Sequence, residues 1–503
     1  MKTRLRRYLS RRPSPISCLP VELLEVVFSY YAHDGGTNLL AIDFTETFAS
    51  TISSHPASIV NPMTLGEVSQ QWRQISRSLP LLWSKIYISH PKEDHVKRSI
   101  FWLSLARNFP LTIGISSFSG RPTSEDVSAM ERLLDLFISN YDTWYTVDIR
   151  VSRHFHALFF RVPNYPPPSL HSVRLEIGPS YPPSPRDERA VDILYSSKAL
   201  RKIAWPSSHY NIPTALAKFP HWAALTHFVH HQVFLQNNLT VNDTLAILNT
   251  CPVLESFEAR IYPPDNGELL HPISLPLMHS HLRSLTAATD TVLLPRVLES
   301  LILPALELLA VHHTQFDFSN PVLKSAAPIL DLLERSSCTL QGFDLATPST
   351  QEDVILGLIA SPQLQNVSKI RLPGPKTERT ISLLTRDRNY PQSLAILPLL
   401  KHLTFYSYPS FSGGLNTSIK SIKRMLLSRR NKNLLSSVDS GIPMSLLTYA
   451  SLGLSRLDFW DYSQLDKLGN ADFKILPSQC SNPSRLDDKL DSESVHANTY
   501  FYS

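Results

Sequence analysis

A short motif recurs along most of this chain: an apolar residue, two positions of any kind, an apolar residue, one position, and a further apolar residue. It starts at Trp144, Leu170, Leu200, Leu225, Leu254, Leu282, Leu306, Leu340, Val367 and Leu400, with an early example around Pro110-Ile113-Ile115. A chain that is 43% hydrophobic supplies about 40 matches to three apolar positions by chance, so the motif alone decides nothing. Its context does. Leu245-Ala-Ile-Leu248 has helical spacing, runs into Asn249-Thr-Cys251-Pro252, and is followed by Leu254-Glu-Ser-Phe257. Ile329, Leu330, Leu332 and Leu333 lead through Cys338 to Leu340 and Phe343 in the same way, and Ile355 to Ile359 lead through Pro362 to Leu364. Helix, turn and strand form one step of a stacked array whose steps bury their apolar sides against each other. The expected class is therefore an α/β repeat.

The starts lie about 24 to 34 residues apart, around and slightly above the leucine-rich-repeat period. This predicts an irregular leucine-rich-repeat-like solenoid over residues 95–465. A less regular α/β array with a few sheets remains the alternative for the same region. Leu454-Ser-Arg-Leu457-Asp-Phe459 reads as one last strand after an insertion around 412–445. Residues 466–503, rich in Ser, Asp, Asn and Lys, read as a mostly disordered polar tail.

A different pattern precedes the array. Pro20 suits the first turn of a helix, where a missing N–H is no loss. Leu19, Leu23 and Val27 follow at four-residue steps, with Leu24 and Phe28 on an adjoining stripe and Glu22 and Glu25 early in the helix. A second helix opens at Thr64-Leu-Gly-Glu67, a capping-box pattern, with Leu65, Val68, Trp72 and Ile75 on one face. Leu79-Pro80 restarts the chain before Leu82 and Trp83, and Ile86 and Ile88 then alternate as in a strand. These are three short helices with more apolar surface than so small a bundle can bury by itself.

The order Leu19-Pro-x-Glu-Leu-Leu through Val27-Phe28, then Val68-x-x-x-Trp72-Arg73, then Leu79-Pro-x-Leu-Trp83, resembles an F-box, and the fungal form in particular. The likeness covers roughly residues 16–88 within a domain at 16–90, interrupted by an inserted loop at 32–62. Ser69 stands where such relatives commonly have Cys. The resemblance implies that Leu19, Pro20, Leu23 and Val27 contact a Skp1-type adaptor and, through it, a cullin. Trp72 and Trp83 would hold the bundle together.

The chain as a whole is then expected to be the substrate-recognition subunit of a Skp1–cullin–F-box type ubiquitin ligase. It would act in the cytoplasm, the nucleus or both, with an unknown protein target bound by the array. Target-facing candidates flank the middle of the strands: Arg174, Glu176, Glu258, Arg260, Asp344, Arg371 and Tyr406. The alternative is a repeat-based protein-binding scaffold with no ligase role, capped by the F-box-like unit.

Charge and motif content exclude other classes. Lys2, Arg4, Arg6, Arg7, Arg11 and Arg12 supply six of the 48 basic residues, leaving 42 against 43 acidic ones. The basic excess thus sits in a tail, residues 1–15, and the near-neutral remainder is unlike a nucleic-acid binder. Cys18, Cys251, Cys338 and Cys480 lack metal spacing or a disulfide framework, and Cys251 and Cys338 read as packed thiols. Leu298 to Val311, the most apolar stretch, is broken by Glu299, Pro304 and Glu307, and no membrane role is expected. The sequons at Asn238, Asn242, Asn366 and Asn416 follow no export signal and read as chance matches. The clusters His154-x-His156, His230-His231, His279-x-His281 and His312-His313 match no metal signature. No nucleophile elbow, phosphate-cradling loop, dinucleotide fingerprint or kinase set is present. No catalytic residue, metal or cofactor is expected.

Overall fold

The computed structural model describes residues 19–33, 50–55, 61–117, 122–152, 161–177, 189–205, 212–230, 239–263, 276–289, 293–313, 323–347, 350–374, 377–387, 395–406, 418–431 and 444–452. A few single positions between them are also described, and residues 185–188 and 474–477 are described as backbone alone. Two compact units emerge, one ending at Leu200 and one beginning at Arg201.

The first unit opens with helix α1 (Val21–His33) and the short helices α2 (Leu65–Val68), α3 (Gln70–Ser78) and α4 (Pro80–Trp83). Its longer helices are α5 (Glu93–Ala106), α6 (Ser124–Ile138) and α7 (Pro185–Tyr195). Strands β1 (Thr51–Ser53), β2 (Lys85–Ser89), β3 (Leu111–Ser117), β4 (Trp144–Val151) and β5 (Ser172–Ile177) lie side by side in chain order. β1 runs antiparallel to β2, and the remaining pairs are parallel. β1 comes from the segment 32–62, so the insertion supplies an edge strand, Ile52 opposite Ile88.

The second unit is more regular. Its sheet contains β6 (Lys202–Ala204), β7 (His227–His230), β8 (Ser256–Arg260), β10 (Ser284–Thr289), β12 (Leu308–His313), β13 (Gly342–Ala346), β14 (Lys369–Pro373), β15 (His402–Tyr406), β16 (Tyr449–Leu452) and β17 (Lys474–Pro477). The pairings are parallel throughout. A separate ribbon joins β9 (Leu277–Met278) to β11 (Leu301–Ile302). Crossovers carry α8 (Ile212–Lys218), α9 (Val241–Thr250), α10 (Leu293–Glu299), α11 (Ala327–Ser336), α12 (Glu352–Ile359), α13 (Glu378–Leu384) and α14 (Ile419–Arg430). Parallel neighbours require such crossovers, which is why helix and strand alternate.

The leading residue of each motif explains the repeat. Leu170, Leu200, Leu225, Leu254, Leu282, Leu306, Leu340, Val367 and Leu400 are all fully buried, and each precedes its strand by two residues. Except at Leu282 and Leu340, the N–H of the leading residue closes a tight turn on the carbonyl three positions back, as Leu254 does on Cys251 (3.1 Å) and Val367 on Leu364 (3.0 Å). The next two N–H groups then share one carbonyl of the preceding step. Glu255 and Ser256 donate to Thr226, Arg283 and Ser284 to Glu255, Glu307 and Leu308 to Arg283, and Gln341 and Gly342 to Glu307. Apolar burial and a repeated backbone clamp thus set the register together.

Alternation fixes the two faces of the second sheet. In β8, Phe257 and Ala259 are buried on the helix-covered side, while Ser256, Glu258 and Arg260 are half-buried on the other. Phe257 stacks on Phe228 at 5.6 Å, and Trp222 joins Trp205 edge to face at 5.0 Å. Thr240 caps α9 through a reciprocal pair with Asp243, and Thr123 caps α6 likewise with Asp126.

The last strand expected at Leu454–Phe459 lies outside the described residues, as do residues 1–15. The described strands nearest that place are β16 and β17, and β17 falls within the stretch read as a polar tail. The insertion read at 412–445 contains helix α14.

Candidate functional site

Two surfaces merit attention: the outer face of α1 and the polar face of the second sheet.

Helix α1 is apolar on two sides. Leu24, Phe28 and Ala32, one turn apart, are fully buried, and Phe28 meets Trp72 with ring centroids 4.8 Å apart. The neighbouring positions face outward. Leu23 and Val26 are each 52% exposed, Val27 is 44% exposed and Tyr30 is 66% exposed. Pro20 is exposed and Leu19 half-buried. Folding exposes Leu23 and Val27 and buries the adjoining stripe.

The helices opposite α1 are held by polar contacts. Tyr31 and Thr64 share a hydroxyl hydrogen bond of 2.8 Å, and Ser54 donates to the carbonyl of Ala32 at 3.1 Å. Trp83 is buried, donates its indole N–H to the carbonyl of Ser76 (2.8 Å), and meets Trp102 edge to face at 6.0 Å.

The capping box at Thr64 does not form. Its side chain makes no capping bond, and Ser69 instead adopts an extended backbone (φ −159°, ψ 165°) and accepts the N–H of Trp72 at 3.1 Å. The anticipated single helix is therefore two, α2 and α3. Leu65 and Ile75 stay buried, but the break turns Val68 outward, 59% exposed. Ser69, which stands where F-box-like sequences commonly have Cys, is the cap of α3.

The array candidates sit in ion-paired ladders. In the first unit Arg174 is buried beside Glu176, 3.8 Å away, so its guanidinium lies beneath the surface rather than on it. The neighbouring strand carries a buried bidentate pair, Arg150 to Asp148, at 3.1 Å in both contacts. In the second unit Glu258 and Arg260 are half-buried on β8. Asp344, also buried, is the hub of four consecutive strands. Tyr406 donates to its carboxylate at 2.9 and 2.8 Å, and His312 and Arg371 each approach to 3.6 Å. Burial alone would raise the Asp344 pKa, but His312, Arg371 and Tyr406 outweigh it and hold the carboxyl below its usual value. The structure brings Asp344, Arg371 and Tyr406 together, whereas Arg174 and Glu176 belong to the other unit.

Sequence reasoning weighed His312 only as a metal ligand and missed the Asp148–Arg150 pair. Alternation contained the signal for Asp148 and Arg150, which alternate with Val147, Ile149 and Val151, while His312 follows Val311.

Of the remaining candidates Cys251, His230 and His279 are packed, whereas Cys338, read as a packed thiol, is half-buried and His154 and His281 are exposed. Cys251 is fully buried, with burial pushing its thiol up to about 12, and its carbonyl accepts from His279 at 3.0 Å. His230 is buried, with desolvation and then the charge of Arg260 pushing its pKa down to about 3. Among the described residues no group of three His, Cys, Asp or Glu side chains is placed to hold a metal ion. No described helix is long and apolar enough to cross a membrane.

Neither a family profile nor a curated protein matches the sequence. Solved structures offer distant overlaps. A chain of the Rad7 and Elc1 complex of yeast is 11% identical, with 91% of this chain and 93% of that one covered at a TM-score of 0.39. A protein from Bacteroides fragilis is 14% identical, with 52% of this chain covered at a TM-score of 0.30. The chain spans 64% of that bacterial protein's length. Neither overlap is close enough to establish a shared fold.

Proposed function

We propose that this chain is a non-catalytic target receptor of a Skp1–cullin–F-box type ubiquitin ligase. The F-box-like helices would hold the adaptor, and an irregular leucine-rich-repeat-like array would hold a protein target. One observation carries the reading: α1 buries Leu24, Phe28 and Ala32 yet leaves Leu23, Val26, Val27 and Tyr30 in water. Burying a fully exposed aliphatic side chain contributes about 1.5–3 kcal/mol and a half-exposed one about half that, so a contiguous apolar stripe favours a partner that covers it. Leu19, Pro20, Leu23 and Val27 are the adaptor contacts, and the polar strand face around Glu258, Arg260, Asp344, Arg371 and Tyr406 is the target side. The assembly would raise the local concentration of target lysines beside a separate ubiquitin-loaded enzyme. The reading entails action in the cytoplasm or nucleus.

The test uses the full chain and a purified Skp1-type adaptor. Wild-type protein should retain the adaptor, and Leu23→Asp with Val27→Asp should abolish retention without changing the melting temperature. A folded wild-type chain that fails to bind the adaptor leaves the scaffold reading in its place.

A further inference from the structure

Helix α14 departs at its start from the charge pattern of several other helices of this chain, while Arg429 and Arg430 in its last turn follow it. Acidic residues occupy the first turns of α5, α6, α9 and α12, where the helix dipole favours them. α14 has none there and places Lys420 in that turn instead. Lys420, Lys423 and Arg424 stand three and four positions apart, so like charges crowd one face, an arrangement that weakens a helix. Leu427, 47% exposed, extends the same stripe by one turn. The opposite face, Ile422, Met425, Leu426 and Arg429, is buried. Glu378 accepts the N–H of the capping Ser418 at 2.5 Å, and Asp387 lies 3.5 Å from Arg424, whose side chain is still 74% exposed. Between Asp387 and Asp439 the sequence holds eight Lys and Arg residues and no acid.

We infer that this stripe is a docking surface for an acidic protein segment bearing one apolar anchor. Exposed Lys420, Arg424 and Leu427 with half-buried Lys423 between them are the complement of carboxylates spaced along a peptide around one aliphatic side chain. Local strain of this kind is relieved when opposite charges arrive. A nucleic-acid backbone offers nothing to Leu427, and the near-neutral balance of the chain beyond its first dozen residues disfavours it. A membrane surface needs a broad apolar face, and this stripe has one apolar residue. The inference concerns a surface remote in sequence from α1 and does not depend on adaptor binding.

The experiment measures fluorescence polarisation of a labelled Glu-Glu-Leu-Glu-Glu repeat peptide with the full chain. The counterpart with Gln for Glu, a short duplex DNA and phosphatidylserine vesicles serve as comparison probes. The acidic peptide should bind, weaken as salt is raised, and exceed the Gln peptide by about tenfold. Lys420→Glu with Lys423→Glu and Arg424→Glu should abolish that binding while circular dichroism melting changes little, the acid gained in the first turn offsetting the exposed pair lost between Arg424 and Asp387. Leu427→Ala should weaken it severalfold. If the triple variant misfolds, the corresponding Gln variant gives the same comparison. Equal binding of Glu and Gln peptides overturns the inference, as does DNA or vesicle binding that the triple variant loses while peptide binding persists.

Discussion

The hydroxyl of Tyr406 donates to both carboxylate oxygens of Asp344, at 2.9 and 2.8 Å, across the intervening strand β14. Arg371 lies on that strand, 5.8 Å from the centre of the Tyr406 ring and 3.6 Å from the same carboxylate. Three strands are thus tied at one buried charge. Tyr406→Phe removes a donor to a buried carboxylate and should destabilise the chain by about 1–3 kcal/mol, read by urea denaturation. The sign with pH follows from the lowered pKa of Asp344. Its contribution is fully present above the ordinary carboxylate range and is lost as pH falls through the folded-state value. Wild-type stability should therefore fall on acidification below about pH 4, and Asp344→Asn should flatten that fall.

His230 should govern a second, higher window. It is buried at the end of β7, its Nδ1 has no hydrogen-bond partner among the described residues, and desolvation followed by the Arg260 charge pushes its pKa down to about 3. Between that value and the ordinary histidine value the unfolded chain binds a proton that the folded chain refuses. Stability therefore rises with pH across the window, by up to about 1.4 kcal/mol per unit. His230→Leu should leave stability nearly unchanged at neutral pH and reduce the loss on acidification to about pH 4.5. A wild-type and variant difference that stays constant with pH would contradict this.

Arg429 is a fully buried cation neutralised by dipoles. Its Nε donates to the carbonyl of Leu384 at 2.7 Å, and its terminal nitrogens donate to Leu397 (2.8 Å) and Ile396 (2.9 Å). Arg386, also buried, donates beside it to Pro398 at 2.8 Å and Ser445 at 3.1 Å. The two guanidiniums fasten α14 and its neighbouring turns. Arg429→Met would strand three carbonyls and should destabilise by about 3–5 kcal/mol in calorimetry or denaturant melts. Arg429→Lys should recover only part of this, because one ammonium cannot reproduce the planar fork.

Much of the architecture was legible because its cause is local. Leu254 and Val367 are buried and begin a step because apolar spacing and the tight turn just before them require it, and both signals are written in consecutive residues. Leu23 and Val27 were legible for the same reason, since four-residue spacing marks a helix face. What escaped depends on partners far away in sequence. Asp344 becomes a hub only because Tyr406 arrives two strands later, and Arg174 is submerged only because the strands around it pair as they do. Nothing local marks Arg386 and Arg429 as buried, because the carbonyls of residues 396–398 that receive them lie 12 or more residues away. The split between α2 and α3 escaped for a subtler reason. Thr64 and Ser69 both offer a cap, and the sequence does not show which hydroxyl captures an N–H.

That competition can be tested at Ser69. Its hydroxyl accepts the N–H of Trp72, whose ring packs on Phe28, so the cap also positions the contact between α3 and α1. Ser69→Ala should cost about 1 kcal/mol and lower the melting temperature of the first unit. Ser69→Asn, which keeps a capping oxygen, should restore most of the loss. Thr64→Ala should be milder at the helix start, because its side chain caps nothing there, although it does lose the hydrogen bond to Tyr31. If Thr64→Ala instead proved the more damaging of the two at the start of α3, followed by amide exchange at Trp72, the break at Ser69 would be wrong and a single continuous helix would take its place.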